Sequence, residues 1–209
     1  KACRAVVRLR ALGPSALELL DKTVIDLVRN HSMAWREAMP DALKTVLLCE
    51  FDGATRDEAL AEVERAKGLV ADALEVRVAT GADFSSLWKI RKAASPILER
   101  LEGPMRSTRV VEDAAVRPER LPEYIRGLKE IFARHGVDGV IFGHAGSGHI
   151  HCNLLMKAHA EQEKIKAICE EVADLIARLK GTLSGEHGDG ILRAPYLHRT
   201  YGPLVEVFA

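Results

Sequence analysis

Apolar positions along this chain follow two rhythms, helical steps of three and four and strict alternation, and the two take turns. Ala59, Leu60, Val63, Ala66, Val70 and Ala73 recur at helical spacing and predict a helix over 57–73. Ile165, Ile168, Cys169, Val172, Leu175, Ile176 and Leu179 form the strongest such stripe. Leu121, Ile125, Leu128 and Phe132 form another, which stops at Gly136. A helix with Phe84, Leu87, Trp88 and Ala94 on one side should kink or end at Pro96. Ser15 followed by Glu18 has the form of a capping box and places a helix over about 16–30. Residues 31–42, with Pro40, read as irregular, and a short helix near 195–201 closes the chain.

Between these lie runs with strand character: 5–12, 46–51 closed by Asp52-Gly53, 75–80, 108–116, 137–142 and 149–156. Some of these strands follow one another with only a short turn between them. That favours an α+β fold, an antiparallel or mixed sheet covered by helices, over a parallel doubly wound sheet. No internal repeat or low-complexity linker interrupts it.

Composition narrows the partners. Thirty basic and thirty acidic residues cancel, so charge gives no reason to expect nucleic acid or an anionic membrane. No apolar run approaches the roughly 18 residues that span a bilayer. Cys3, Cys49, Cys152 and Cys169 are scattered without CxxC spacing and read as buried small hydrophobes in a reducing, cytoplasmic setting. A chain that begins at Lys1 is expected to be processed or cut from something longer.

The chemistry concentrates in two glycine-rich stretches, His144-Ala-Gly-Ser-Gly-His-Ile-His151 and Ser184-Gly-Glu-His-Gly-Asp-Gly190. Alternation along a strand puts His149, His151 and Asn153 on one face, with Ile150 and Cys152 on the other. His144 closes the preceding strand, and a turn through Gly146 and Gly148 can fold it back beside His151. Glu186 and His187 return from a loop whose three glycines let its backbone approach a ligand. Two imidazoles and a carboxylate with an open position suit zinc, ahead of manganese or iron, and leave His187 as a base. Taken singly, each element has a plainer explanation: a hydrogen-bonded polar hairpin, and a connector with solvated charges. Taken together, they favour a metal. Arg91 and Arg109 could grip a carboxylate bidentately, but by spacing alone each reads as a surface ion pair.

These motifs, Phe142-Gly-His-Ala-Gly-Ser-Gly-His-Ile-His-Cys-Asn153 and Ser184 to Gly190, resemble the C-terminal domain of FAD-linked oxidases of the vanillyl-alcohol oxidase and p-cresol methylhydroxylase superfamily. The D-lactate, glycolate and D-2-hydroxyglutarate dehydrogenase branch is the most similar. Leu87-Trp-Lys-Ile-Arg-Lys92 and Glu112-Asp-Ala-Ala-Val116 lend weaker support, and the tail from Gly190 to Pro203 resembles members with an added iron–sulfur segment.

The resemblance implies that 1–209 is a ferredoxin-like substrate-binding (cap) domain whose flavin-binding domain lies outside this chain. It implies His144, His151 and Glu186 as metal ligands, and His187 as the base. Arg91 would bind the substrate carboxylate and Asn153 would be a polar substrate contact. The longer enzyme would oxidise a D-2-hydroxy acid to the 2-keto acid, with FAD taking the hydride, while the isolated chain would be inactive.

Three positions depart from the family pattern. His149 stands where an asparagine is common and is either an extra ligand or a polar neighbour. A lysine anchor for the carboxylate is replaced by Val111, with Arg109 two residues earlier as its substitute. A threonine after the arginine is matched by Ser95. The electron acceptor is left open between a quinone, an electron-transfer protein and an iron–sulfur module, and so are the oligomeric state and peripheral membrane attachment. Two other readings remain: a flavin-independent metal-dependent hydrolase or lyase, and a non-catalytic binding module.

Overall fold

A computed structural model describes residues 1–31, 33–101, 104–110, 112–157 and 162–208. They form two compact units, the first of residues 1–100 with 144–146, the second of 101–143 with 147–209. Both are α+β, and β-strands pair antiparallel within each.

In the first unit, α1 (Ala2–Arg10) occupies the segment expected as a strand. Its apolar residues Ala5, Val6 and Leu9 sit one and four positions apart, so a helix buries all three together, with Arg8 and Arg10 at its negative C-terminal end. The helix expected over 16–30 is likewise corrected. Residues Ala16–Asp21 form strand β1, and helix α2 begins only at Lys22 (Lys22–His31). Ser15 does not cap a helix: its N–H and hydroxyl both donate to the Glu50 carbonyl, at 2.9 and 3.1 Å, which fastens β1 to β2 (Thr45–Glu50). The true cap is Asp21, whose carboxylate accepts the N–H groups of Thr23 and Val24 at 3.0 and 3.3 Å.

Helix α3 (Met33–Ala38) lies within the stretch expected to be irregular. A capping box between Thr55 and Glu58 starts α4 (Arg56–Leu69), which ends four residues before the predicted 73. Residues 75–80 take no strand assignment; Val76 and Val78 are about half exposed, so no apolar face is buried to hold a ladder. Helix α5 (Phe84–Glu99) continues one turn past the expected stop through Pro96, held by buried Ile97 and Leu98, and it leaves Phe84 exposed.

In the second unit, β6 (His149–Lys157) is the axis. It pairs with β5 (Asp138–Gly143) along one side, with β3 (Met105–Thr108) at its far end and with β4 (Ala114–Ala115) at its start. The strand expected over 108–116 is therefore broken in two. Its described middle residues leave the ladder because Asp113, fully buried, turns its carboxylate to a distant loop. Val111, read as a substitution in a substrate anchor, lies outside the described residues.

Helix α6 (Leu121–His135) ends on Gly136 in the left-handed conformation, as the sequence requires. It packs with α7 (Gln162–Arg178), which buries Ile168, Cys169, Val172, Ala173, Leu175 and Ile176. Short helices α8 (Gly190–Arg193), α9 (Leu197–Tyr201) and α10 (Val205–Phe208) follow. All four cysteines are free thiols, and burial pushes those of Cys49 and Cys169 up to about 11. Among the described residues no helix is long and apolar enough to cross a membrane.

Candidate functional site

Strand alternation along β6 puts Ile150, Cys152 and Leu154 into one face and His149, His151 and Asn153 into the other, and all six are buried. The turn that feeds this strand depends on Gly148 at φ +77°, where a Cβ would lie 1.8 Å from the Val116 carbonyl. The polar face is covered by the loop from Ser184 to Gly188. Gly185 presses against the His149 ring so closely that a Cβ there would stand 2.6 Å from it.

Asp113 holds that loop. Its carboxylate accepts the Ser184 hydroxyl at 2.5 Å and the N–H groups of Gly185, Glu186 and His187 at 3.1, 3.3 and 2.9 Å. His149 Nε2 lies 2.7 Å from its other oxygen. Burial pushes the Asp113 carboxyl up. Hydrogen bonds from Ser184, the His187 backbone, His149 and the Glu186 backbone outweigh it and bring the group down to about 2. His149 therefore has its Nε2 engaged by a structural carboxylate, which favours the polar neighbour over the extra ligand.

Glu186 and His187 are fixed at their backbones yet project side chains that are 44 and 46% exposed. His151 stacks on His187 with ring centroids 5.4 Å apart and planes 15° from parallel. The Nε2 atoms of His151 and His187 each lie 3.4 Å from Glu186 Oε1. Glu112 reaches His187 Nδ1 with both carboxylate oxygens at 3.1 Å, and its carbonyl lies 3.2 Å from His151 Nδ1. Arg193, buried on α8, is 3.3 Å from Glu112 and donates to the Gly188 carbonyl.

Donor atoms of Asp113, His151, Glu186 and His187 all lie within 4.8 Å of one another. Two donors bound at about 2.1 Å to one tetrahedral ion stand about 3.4 Å apart, so this donor set fits a divalent cation of the zinc type. The Arg193 guanidinium lies 3.3 Å from Glu112 and 3.8 Å from Asp113.

The first unit contributes a separate constellation. Glu18, 5% exposed in its side chain, binds Arg91 Nε at 2.7 Å and His144 Nδ1 at 2.5 Å. Burial pushes the Glu18 carboxyl up, but hydrogen bonds and charge from His144 and Arg91 outweigh it and leave the group below its ordinary value. Arg91 is thus no surface ion pair; its partner is a buried acid. A carboxylate on Nδ1 sets His144 in the tautomer whose lone pair is on Nε2.

Of the two expected substrate contacts in the second unit, Asn153 donates from Nδ2 to Ser107 Oγ at 3.1 Å across β6 and β3. Arg109 is exposed and stands one residue past β3 rather than on it. Sequence reasoning gave no role to Glu112, Asp113 or Arg193. The first two carried a usable signal, adjacent acids inside an otherwise apolar strand-like run, whereas Arg193 carried none.

Comparison with known proteins agrees with this architecture. Residues 1–208 match the family model described as FAD linked oxidases, C-terminal domain. The glycolate oxidase subunit GlcD of Bacillus subtilis is 31% identical over 191 residues, covering 88% of this chain and 38% of that protein. D-2-hydroxyglutarate dehydrogenase of Pseudomonas putida is 33% identical over 97% of this chain and 22% of its own length. D-lactate dehydrogenase of Anaerostipes hadrus is 28% identical over 92% and 42% respectively. The chain thus spans less than half the length of these relatives. Among solved structures, an isoeugenol complex of 4-ethylphenol oxidase from Gulosibacter chungangensis shares the fold, with a TM-score of 0.60 at 13% identity over 98% of this chain and 46% of that one. The chain belongs to the C-terminal domain family of the FAD-linked oxidases.

Proposed function

We propose that this chain is the substrate-binding part of a longer FAD-dependent dehydrogenase that oxidises a D-2-hydroxy acid of the lactate, glycolate or 2-hydroxyglutarate type to its 2-keto acid. The observation that carries this reading is the convergence of His151 Nε2 and His187 Nε2 on Glu186 Oε1, each at 3.4 Å. Family membership favours it over a flavin-independent hydrolase and over a binding module.

In this reading His151 and Glu186 would hold a divalent ion, zinc by donor set, and His144, the third expected ligand, keeps its lone pair on Nε2 in the first unit. When bound, such an ion lowers the pKa of a hydroxyl oxygen that it polarises. His187 takes the hydroxyl proton on Nε2, being nearly half exposed and fixed through its backbone by Asp113. In the second unit Arg109 offers cationic charge to a substrate carboxylate and Asn153 a polar contact; Arg91 is the expected carboxylate-binding cation of the first unit.

The flavin is a different case. Described strand-to-helix turns contain at most one glycine, Gly53, so they form no glycine-rich cradle for a pyrophosphate. In this reading the flavin would be held outside this chain.

The test is anaerobic mixing of the flavin-containing full-length protein with D-lactate, glycolate or D-2-hydroxyglutarate. One of the three should bleach the flavin. His187→Ala should slow that bleaching at least about 100-fold while leaving metal content near normal. Loss of zinc in His187→Ala, with bleaching restored by added zinc, would make His187 a ligand instead of the base. No bleaching by any of the three acids would overturn the substrate class.

A further inference from the structure

We infer that Glu112 is the positioning residue of this site: its carboxylate and its carbonyl separately set the tautomers of His187 and His151, turning both Nε2 atoms toward Glu186. The inference deepens the proposed function and rests on its reading that these side chains form one site.

Carboxylate and carbonyl oxygens accept hydrogen bonds and cannot donate them. An imidazole nitrogen facing such an oxygen must carry the proton, so the other nitrogen keeps the lone pair. At His187, both oxygens of Glu112 face Nδ1 at 3.1 Å. At His151, the Glu112 carbonyl faces Nδ1 at 3.2 Å. One residue therefore directs two rings, which stand almost parallel.

Glu112 is itself held at both ends. Its side chain is 12% exposed and lies against the Arg193 guanidinium at 3.3 Å, while Arg193 is tied to the Gly188 carbonyl. Its carbonyl also accepts the Cys152 N–H at 3.3 Å, which locks it to the backbone of β6. Asp113 Oδ1 is the other anionic atom near His187 Nδ1, at 3.5 Å, but His149 occupies that oxygen at 2.7 Å. The nearer and doubly placed acceptor is Glu112. A purely structural ion pair has no need to serve two neighbouring rings from two different groups of one residue. Such outer partners fix ring orientation and tautomer wherever imidazoles bind or activate a ligand.

Proton–nitrogen correlation spectra of the metal-free, histidine-labelled chain, taken where the imidazoles are neutral, read the tautomers directly. The wild type should show His187 and His151 both protonated at Nδ1. Glu112→Ala should move His187 to the Nε2–H form that an unconstrained imidazole favours, and leave His151 at Nδ1–H because the carbonyl persists. Glu112→Gln, which keeps an accepting oxygen, should restore Nδ1–H at His187. If His187 keeps Nδ1–H in Glu112→Ala, the inference is overturned. A wild-type spectrum with His187 protonated at Nε2 overturns it without any variant, so a misfolded alanine variant does not shield it. Zinc alone is then titrated into the wild-type chain. A chain that takes up no zinc, yet shows the tautomer switch, sinks the metal reading and leaves the assignment of Glu112 standing.

Discussion

Two buried carboxylates, one in each unit, solve the same problem by different means. Glu18, in the first unit, is satisfied by side chains that carry or can carry positive charge, Arg91 and His144. Asp113, in the second, is satisfied mainly by dipoles, a hydroxyl and three consecutive backbone N–H groups, with the His149 ring at 2.7 Å and the Arg193 guanidinium at 3.8 Å beside them. A buried charge without partners would cost several kcal/mol, so both need their surroundings. The choice of partner decides what each can hold. Glu18 orients two side chains, whereas Asp113 grips a stretch of backbone, and through it the place from which Glu186 and His187 project. Consecutive N–H groups converging on one anion form a nest, a fixed geometry that long side chains do not match.

The sharpest way to break this contrast is to remove each acid. Asp113→Ala removes the carboxylate that accepts from the Glu186 and His187 N–H groups, Ser184 and His149, while Gly185 keeps the Asp113 carbonyl at 2.6 Å; it should cost about 3 to 5 kcal/mol of unfolding free energy. Glu18→Ala removes the buried acid at Arg91 Nε from a guanidinium that retains some access to water, and should cost about 2 kcal/mol. Denaturant unfolding measures both. Limited proteolysis then separates their roles: cleavage within residues 184–190 should rise in Asp113→Ala and stay at the wild-type level in Glu18→Ala. Equal loosening of that loop in both variants would erase the distinction between holding side chains and holding backbone.

Why Asp113 was invisible as an anchor follows from where its partners lie. Ser184 is 71 positions away, so no local pattern connects them. The same applies to Ala16–Asp21: a capping-box spelling suggested a helix, but Ser15 finds Glu50 at a separation of 35 and Glu18 finds Arg91 at 73. Where partners are local, the sequence was legible. Alternation correctly sorted His149, His151 and Asn153 from Ile150 and Cys152, and three- and four-residue steps correctly marked α6 and α7. His151, Glu186 and His187 could be nominated together because histidines and acids among glycines are rare outside sites. The acids that orient them stood out only as an adjacent pair in a strand-like run; the run does not say which partners they take, since those lie 39 to 75 positions away.

Acid sharpens the comparison from another direction. The Asp113 carboxyl falls from its ordinary 3.8 to about 2 in the folded protein, so folding binds fewer protons there than unfolding does. Its contribution, about 2.5 kcal/mol at roughly 1.4 kcal/mol per pH unit, is present above the unfolded value and is lost as pH falls through the folded value. Glu18 shifts in the same direction, so its variant should also lose part of the acid sensitivity. Unfolding free energy measured between pH 5 and pH 2 should fall more steeply in the wild type than in Asp113→Ala. Parallel profiles would mean that the dipoles around Asp113 do not favour its charged form.

The smallest effect is the most discriminating. Ser184→Ala removes one of the donors to Asp113, the hydroxyl at 2.5 Å, and leaves the three N–H groups and His149 in place. A single hydrogen bond to a charged acceptor contributes about 1.5 to 3 kcal/mol, and the remaining donors can close in on the vacated lone pair. The expected loss is therefore near the bottom of that range, about 1.5 kcal/mol, with the acid transition of Asp113 moved upward and the loop still resistant to protease. If Ser184→Ala instead reproduces the full cost and the loosened loop of Asp113→Ala, the hydroxyl is the anchor. The backbone nest would then contribute nothing, and the second unit would hold its acid by a side chain, as the first unit holds Glu18 by two.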